Sequence, residues 1–125
     1  MPLKGKRILV VEDEMLEAID IEDSLLGFGA IVLGPATRLG LALDLAQSAQ
    51  FDVAILDVDL HGGRSYPVAE IMKGRGIPYI FATGYGHTCD AAVAKGVTTL
   101  EKPFKASELQ HALLSALSQP IHPVP

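Results

Sequence analysis

A chain of 125 residues has the length of one domain, and an apolar fraction of 49% is enough to fill one core. Its formal net charge of −5, from 10 basic and 15 acidic side chains, argues against a nucleic-acid partner, because binding phosphates needs a basic face. The single cysteine, Cys89, excludes an internal disulfide, and the apolar run Ile8 to Val11 is too short for a signal peptide or membrane span, so a reduced, cytoplasmic setting is expected.

Arg7–Val11 reads as a strand buried on both faces, since its apolar run shows no polar alternation. After Glu12-Asp13, the spacing predicts a helix from Glu14 to Gly27, with Leu16, Ile19 and Leu26 on one buried face and the acids outside. Gly27 and Gly29 end it. Ala30–Leu33 is a weaker strand, stopped by Gly34-Pro35. Leu39 to Ser48 is helical, with Leu39, Ala42, Leu43 and Ala46 spaced for one face. Phe51–Leu56 is the clearest strand, and it leads into Asp57-Val58-Asp59. A loop, Leu60–Arg64, precedes a helix from about Tyr66 to Lys73, in which Pro67 suits the first turn. Pro78–Ala82 and Val97–Leu100 are the fourth and fifth strands, with a short helix His87–Lys95 between them. Ala106 to Leu117 is a final amphipathic helix with Leu109, Leu113 and Leu117 four apart. The expected division is one domain over residues 1–119 and a flexible tail over 120–125.

Strands alternating with helices imply an α/β fold with a five-stranded parallel sheet, doubly wound and covered on both faces. Ligands of such sheets bind at the carboxyl ends of the strands. There the sequence places Glu12 and Asp13 after the first strand, Asp57 and Asp59 after the third, Thr83-Gly84 after the fourth and Glu101-Lys102-Pro103 after the fifth. Converging carboxylates repel, and a hard divalent cation with oxygen ligands resolves that repulsion; Mg²⁺ or Mn²⁺ suits few carboxylates. A carboxylate can also accept a phosphoryl group as an acyl phosphate. That transfer needs a cation, an ammonium and a hydroxyl or N–H around the equatorial oxygens.

From ILVVEDE through VAILDVDL and FATGYG to LEKPF, the chain resembles the receiver domains of bacterial response regulators along nearly its whole length. The resemblance implies a flavodoxin-like (βα)₅ fold, with Asp57 as phosphoacceptor and Glu12 and Asp13 as the acidic pair that holds Mg²⁺. It further implies that Asp59 lends its backbone carbonyl to the metal, and that Lys102 and Thr83 contact the phosphoryl oxygens. Pro103 follows the lysine, and in the family the bond before it is often cis. FATGYG also resembles the subgroup called FATGUY after this motif, known chiefly from alphaproteobacterial regulators. The expected partners are a sensor histidine kinase or a histidine phosphotransfer protein, and a downstream protein target. No output domain is expected, so the chain is read as a phosphoacceptor switch and not as an enzyme.

Most receivers carry an aromatic switch residue three positions before the lysine, where this chain has Thr99. Signal output is therefore expected to involve Thr83, Gly84, Tyr85, Thr99, Pro103 and Phe104 by another route. His61 reads as a loop residue at the mouth of the site, and His87 and Cys89 as loop and helix residues. The alternative is an aspartyl-phosphate-forming phosphatase, since Asp59 stands two residues after Asp57, but the chain leaves no room for a cap. A flavin carrier of similar topology is disfavoured, because acids in the first loop would repel its phosphate.

Overall fold

The computed structural model describes residues 2–60, 62–84 and 96–118. In chain order these form β1 (Arg7–Val11), α1 (Met15–Gly27), β2 (Ile31–Ala36), α2 (Leu39–Ser48), β3 (Val53–Asp57) and the two-residue strands β4 (Asp59–Leu60) and β5 (Gly63–Arg64). Then follow α3 (Tyr66–Arg75), β6 (Tyr79–Thr83), β7 (Thr99–Glu101) and α4 (Ala106–Ser118). The helix expected over His87–Lys95, with Tyr85 and His61, lies outside the described residues.

Five strands form one sheet in the order β2-β1-β3-β6-β7, every neighbouring pair parallel. Residue alternation along each strand splits the core into two layers. Leu9, Val11, Ala54, Leu56 and Phe81 face α2 and α3, while Ile8, Val10, Val53, Ile55 and Ile80 lie with Ile21, Leu25, Leu109 and Leu113 of α1 and α4. Burial of each large side chain in these layers contributes about 1.5–3 kcal/mol. Because β1 lies between β2 and β3, the chain leaves it in one direction and returns on the other side. That reversal opens a crevice at the carboxyl ends of β1 and β3.

Three sequence expectations need correction. The buried face of α1 consists of Ala18, Ile21 and Leu25, whereas Leu16 is 72% exposed, Ile19 47% and Leu26 53%. Two apolar stripes run along this helix, and the one with Leu16, Ile19 and Leu26 also contains Asp23. Turning it inward would bury a carboxylate, so the uninterrupted stripe packs instead.

The strand β2 does not stop at Gly34-Pro35 but runs through it to Ala36. It is an edge strand, where proline is tolerated, and its register against β1 shifts between Leu9 and Val11. Gly34 makes the passage possible. Its φ is 99°, and a Cβ there would lie 2.7 Å from the Val10 carbonyl oxygen.

The segment expected as a plain loop folds back on itself, pairing Asp59 with Arg64 and Leu60 with Gly63 as an antiparallel ladder. Gly62 and Gly63, with φ of 99° and 136°, supply the turn that L side chains rarely adopt.

Candidate functional site

The crevice is lined by the residues that end each strand. Adjacent registers pair Val11 with Leu56 and Asp57 with Ala82, so Glu12, Asp57 and Thr83 end neighbouring strands side by side. Lys102 arrives from the far side, where its amide N–H donates to the Thr83 carbonyl at 2.8 Å. The Lys102–Pro103 peptide is cis, as the resemblance implied.

Three carboxylates converge there. Oxygens of Glu12, Asp13 and Asp57 lie within 4.8 Å of one another, close enough to share a cation. Glu12 is fully buried and Asp57 is buried, while Asp13 is half-buried. Burial raises the pKa of Asp57, hydrogen bonding and charge from Glu12 add to it, the Lys102 charge opposes, and the carboxyl is pushed up to about 8. A carboxyl so destabilised as an anion is one that a bound cation would favour. Asp59 stands apart from this trio: its carboxylate is 3.7 Å from the Arg64 guanidinium in the hairpin.

Lys102 is the positive centre of the site. Its ammonium donates to Glu12 Oε1 at 2.5 Å and to Glu17 Oε2 at 2.7 Å, and it stands 3.5 Å from Asp57 Oδ2. Burial alone would lower its pKa, but the hydrogen bonds to both glutamates and the charges of Asp57 and Glu12 outweigh burial and raise it. Lys102 stays charged. Glu12 Oε2 in turn accepts the Glu14 amide at 3.2 Å, which ties the start of α1 to the site.

Glu17 is the residue that sequence reasoning missed. It lies in the first turn of α1, on the side that faces Lys102, and no motif marks it. An acid in that turn reads as a favourable charge at a helix N-terminus, which is true of many helices without a site. Between α1 and the Lys102–Phe104 segment lies a cleft of about 280 Å³, lined by Glu17, Asp20, Ile21, Gly84, Pro103 and Phe104. Thr99, by contrast, is exposed in the edge strand β7 and does not join the cluster.

Fold and site together define a doubly wound α/β domain with a carboxylate trio and one lysine at its topological switch point. Among solved structures, SdrG from Sphingomonas melonis Fr1 is 38% identical, with a TM-score of 0.80, over 94% of this chain and 98% of that one. The receiver domain of a sensor histidine kinase from Pseudomonas aeruginosa PAO1 is 27% identical over 92% of this chain and 99% of that one, with a TM-score of 0.80. That domain was solved with a magnesium ion coordinated in its active-site cleft. A response regulator from Chloroflexus aurantiacus J-10-fl is 25% identical over 93% and 100% of the two chains, at a TM-score of 0.81. No family model matches the chain, and no curated protein does. The chain belongs to the receiver domains of response regulators. No helix among the described residues is long and apolar enough to cross a membrane.

Proposed function

We propose that the chain is a phosphorylation switch that takes a phosphoryl group from the phosphohistidine of a sensor kinase or phosphotransfer protein onto Asp57. The observation that carries this reading is the position of Asp57, clustered with the carboxylates of Glu12 and Asp13 and 3.5 Å from the Lys102 ammonium. In the transfer, an Asp57 carboxylate oxygen forms a bond to phosphorus as the phosphorus–nitrogen bond breaks, and the imidazole leaves with its electron pair. Lys102 and the Thr83 hydroxyl then face the phosphoryl oxygens, and Thr83 is buried enough for that contact to exclude water.

Glu12, Asp13 and Asp57, with the backbone carbonyl of Asp59, would hold Mg²⁺ or Mn²⁺. The chemistry of this all-oxygen donor set fits such an ion. When bound, the ion neutralises charge on the transferred group.

The partners follow from the surface beside the site. Met15, Leu16 and Ile19 are exposed apolar side chains on the outer face of α1, next to Glu12-Asp13. An apolar face so close to a buried acceptor suits a protein donor better than a free small molecule. Output would leave through Thr83, Gly84, Tyr85, Thr99, Pro103 and Phe104, toward a protein target or onward in a relay, in the cytoplasm. The FATGYG run from Phe81 supports placement in the FATGUY subgroup. Labelling with phosphorylated kinase or acetyl phosphate, in the presence of Mg²⁺, should modify the wild type and not Asp57→Asn. Label retained by Asp57→Asn would overturn the reading.

A further inference from the structure

Lys102 has three ammonium protons and three acidic neighbours, but it does not treat them equally. Its bonds to Glu12 and Glu17 are 2.5 and 2.7 Å long, whereas Asp57 at 3.5 Å is beyond an ordinary hydrogen bond. The cation therefore leans toward Glu12 and Glu17 and away from the carboxylate that it would serve.

The two glutamates differ in how firmly they hold it. Glu12 has no exposed surface and also accepts the Glu14 amide, so turning it away would strand a buried charge. The Glu17 side chain is 43% exposed. Water can replace Lys102 at that carboxylate, because the Glu17 side chain reaches solvent even though Lys102 hardly does, and ion pairs with a solvent-exposed partner contribute little. Of the two bonds, the one to Glu17 is free to break.

We propose that Glu17 is a positioning residue that holds Lys102 back from Asp57 and releases it when further negative charge arrives on Asp57. The proposal rests on the reading of Asp57 as phosphoacceptor. On phosphorylation, Lys102 exchanges a Glu17 carboxylate oxygen for a phosphoryl oxygen, and Glu17 becomes solvated. No covalent bond changes in this step. Because Glu17 and Lys102 both line the 280 Å³ cleft and their bond links α1 to the segment carrying Pro103 and Phe104, its release also unties the two.

The test is a titration of the whole chain with beryllofluoride, a phosphoryl mimic, at saturating Mg²⁺. Glu17→Gln should bind it about threefold to tenfold more tightly than the wild type, in line with loss of one partly exposed ion pair. In a Lys102→Met background the same substitution should change nothing. The ¹⁵N resonance of the Lys102 ammonium should move on Glu17→Gln in the free protein, and much less once beryllofluoride is bound. Equal or weaker binding by Glu17→Gln, or a gain that persists without Lys102, would overturn the proposal. A wild type that binds no beryllofluoride would instead remove the acceptor reading and this proposal with it, a result plainly different from equal affinities.

Discussion

Asp57 and Glu12 end adjacent parallel strands with carboxylate oxygens no more than 4.8 Å apart, both shielded from water. Burial first, and then hydrogen bonding and charge from Glu12, push the Asp57 carboxyl up to about 8 in the metal-free protein. Its consequence for stability has a definite sign. Below pH 3.8 the group is protonated whether the chain is folded or not, and it adds no penalty. Between that pH and about 8 the unfolded chain gives up its proton and the folded chain keeps it, so folding is progressively disfavoured. Asp57→Asn removes the penalty. In chelator, urea unfolding should find this variant more stable than the wild type by several kcal/mol at pH 8, with the gap closing toward pH 4. A gap independent of pH would contradict the raised pKa.

Metal binding should show the same proton from the other side. A cation between Glu12, Asp13 and Asp57 needs all three ionised, so its uptake below about pH 8 must release the Asp57 proton. Calorimetry in buffers of different ionisation enthalpy should register close to one proton released at pH 6.5 and fewer at pH 9. Asp13→Asn removes one ligand charge without touching the Lys102 bonds, and should weaken Mg²⁺ binding by about tenfold or more. Unaltered affinity would place the metal elsewhere.

The line between what the sequence declares and what it conceals runs along physical differences. The positions of Glu12, Asp57, Thr83 and Lys102 were legible because a parallel sheet puts strand ends on one rim, and each of them stands at or just past the end of a strand. The phase of α1 was not, because that helix has two apolar stripes and only the cost of burying Asp23 separates them. The course of β2 past Pro35 depends on its being an edge strand, a property of the assembled sheet and not of the segment. Glu17 stayed hidden for a similar reason: its partner is 85 residues away, and only the tertiary fold brings the two together.

Removing Lys102 should destabilise the protein, although lysine is usually a surface residue. Glu12 is completely buried, and Lys102 is its charge partner. Breaking such a pair from one side leaves an uncompensated charge, so Lys102→Met should cost about 3 kcal/mol in urea unfolding. Adding Glu12→Gln should recover a good part of that loss, as a double-mutant cycle would measure. Additive losses would mean that the pair is not coupled.

The exposed stripe of α1 makes the last prediction, which separates folding from recognition. Ile21 is buried under the helix and Leu16 and Ile19 point outward. Ile21→Ala should cost about 2–4 kcal/mol, as deletion of a core side chain does. Leu16→Lys and Ile19→Lys should change stability by no more than about 0.5 kcal/mol, since neither side chain fills the core. If α1 is where a phosphodonor protein docks, those two lysines should slow transfer from that protein about tenfold or more, through a lost apolar contact of the size seen at interface centres. Labelling by acetyl phosphate, which needs no such surface, should keep its wild-type rate. A large stability loss in Leu16→Lys would show that the helix is rotated from the position described. Equal slowing with both donors would show that the stripe acts on Asp57 itself and not on the approach of a partner.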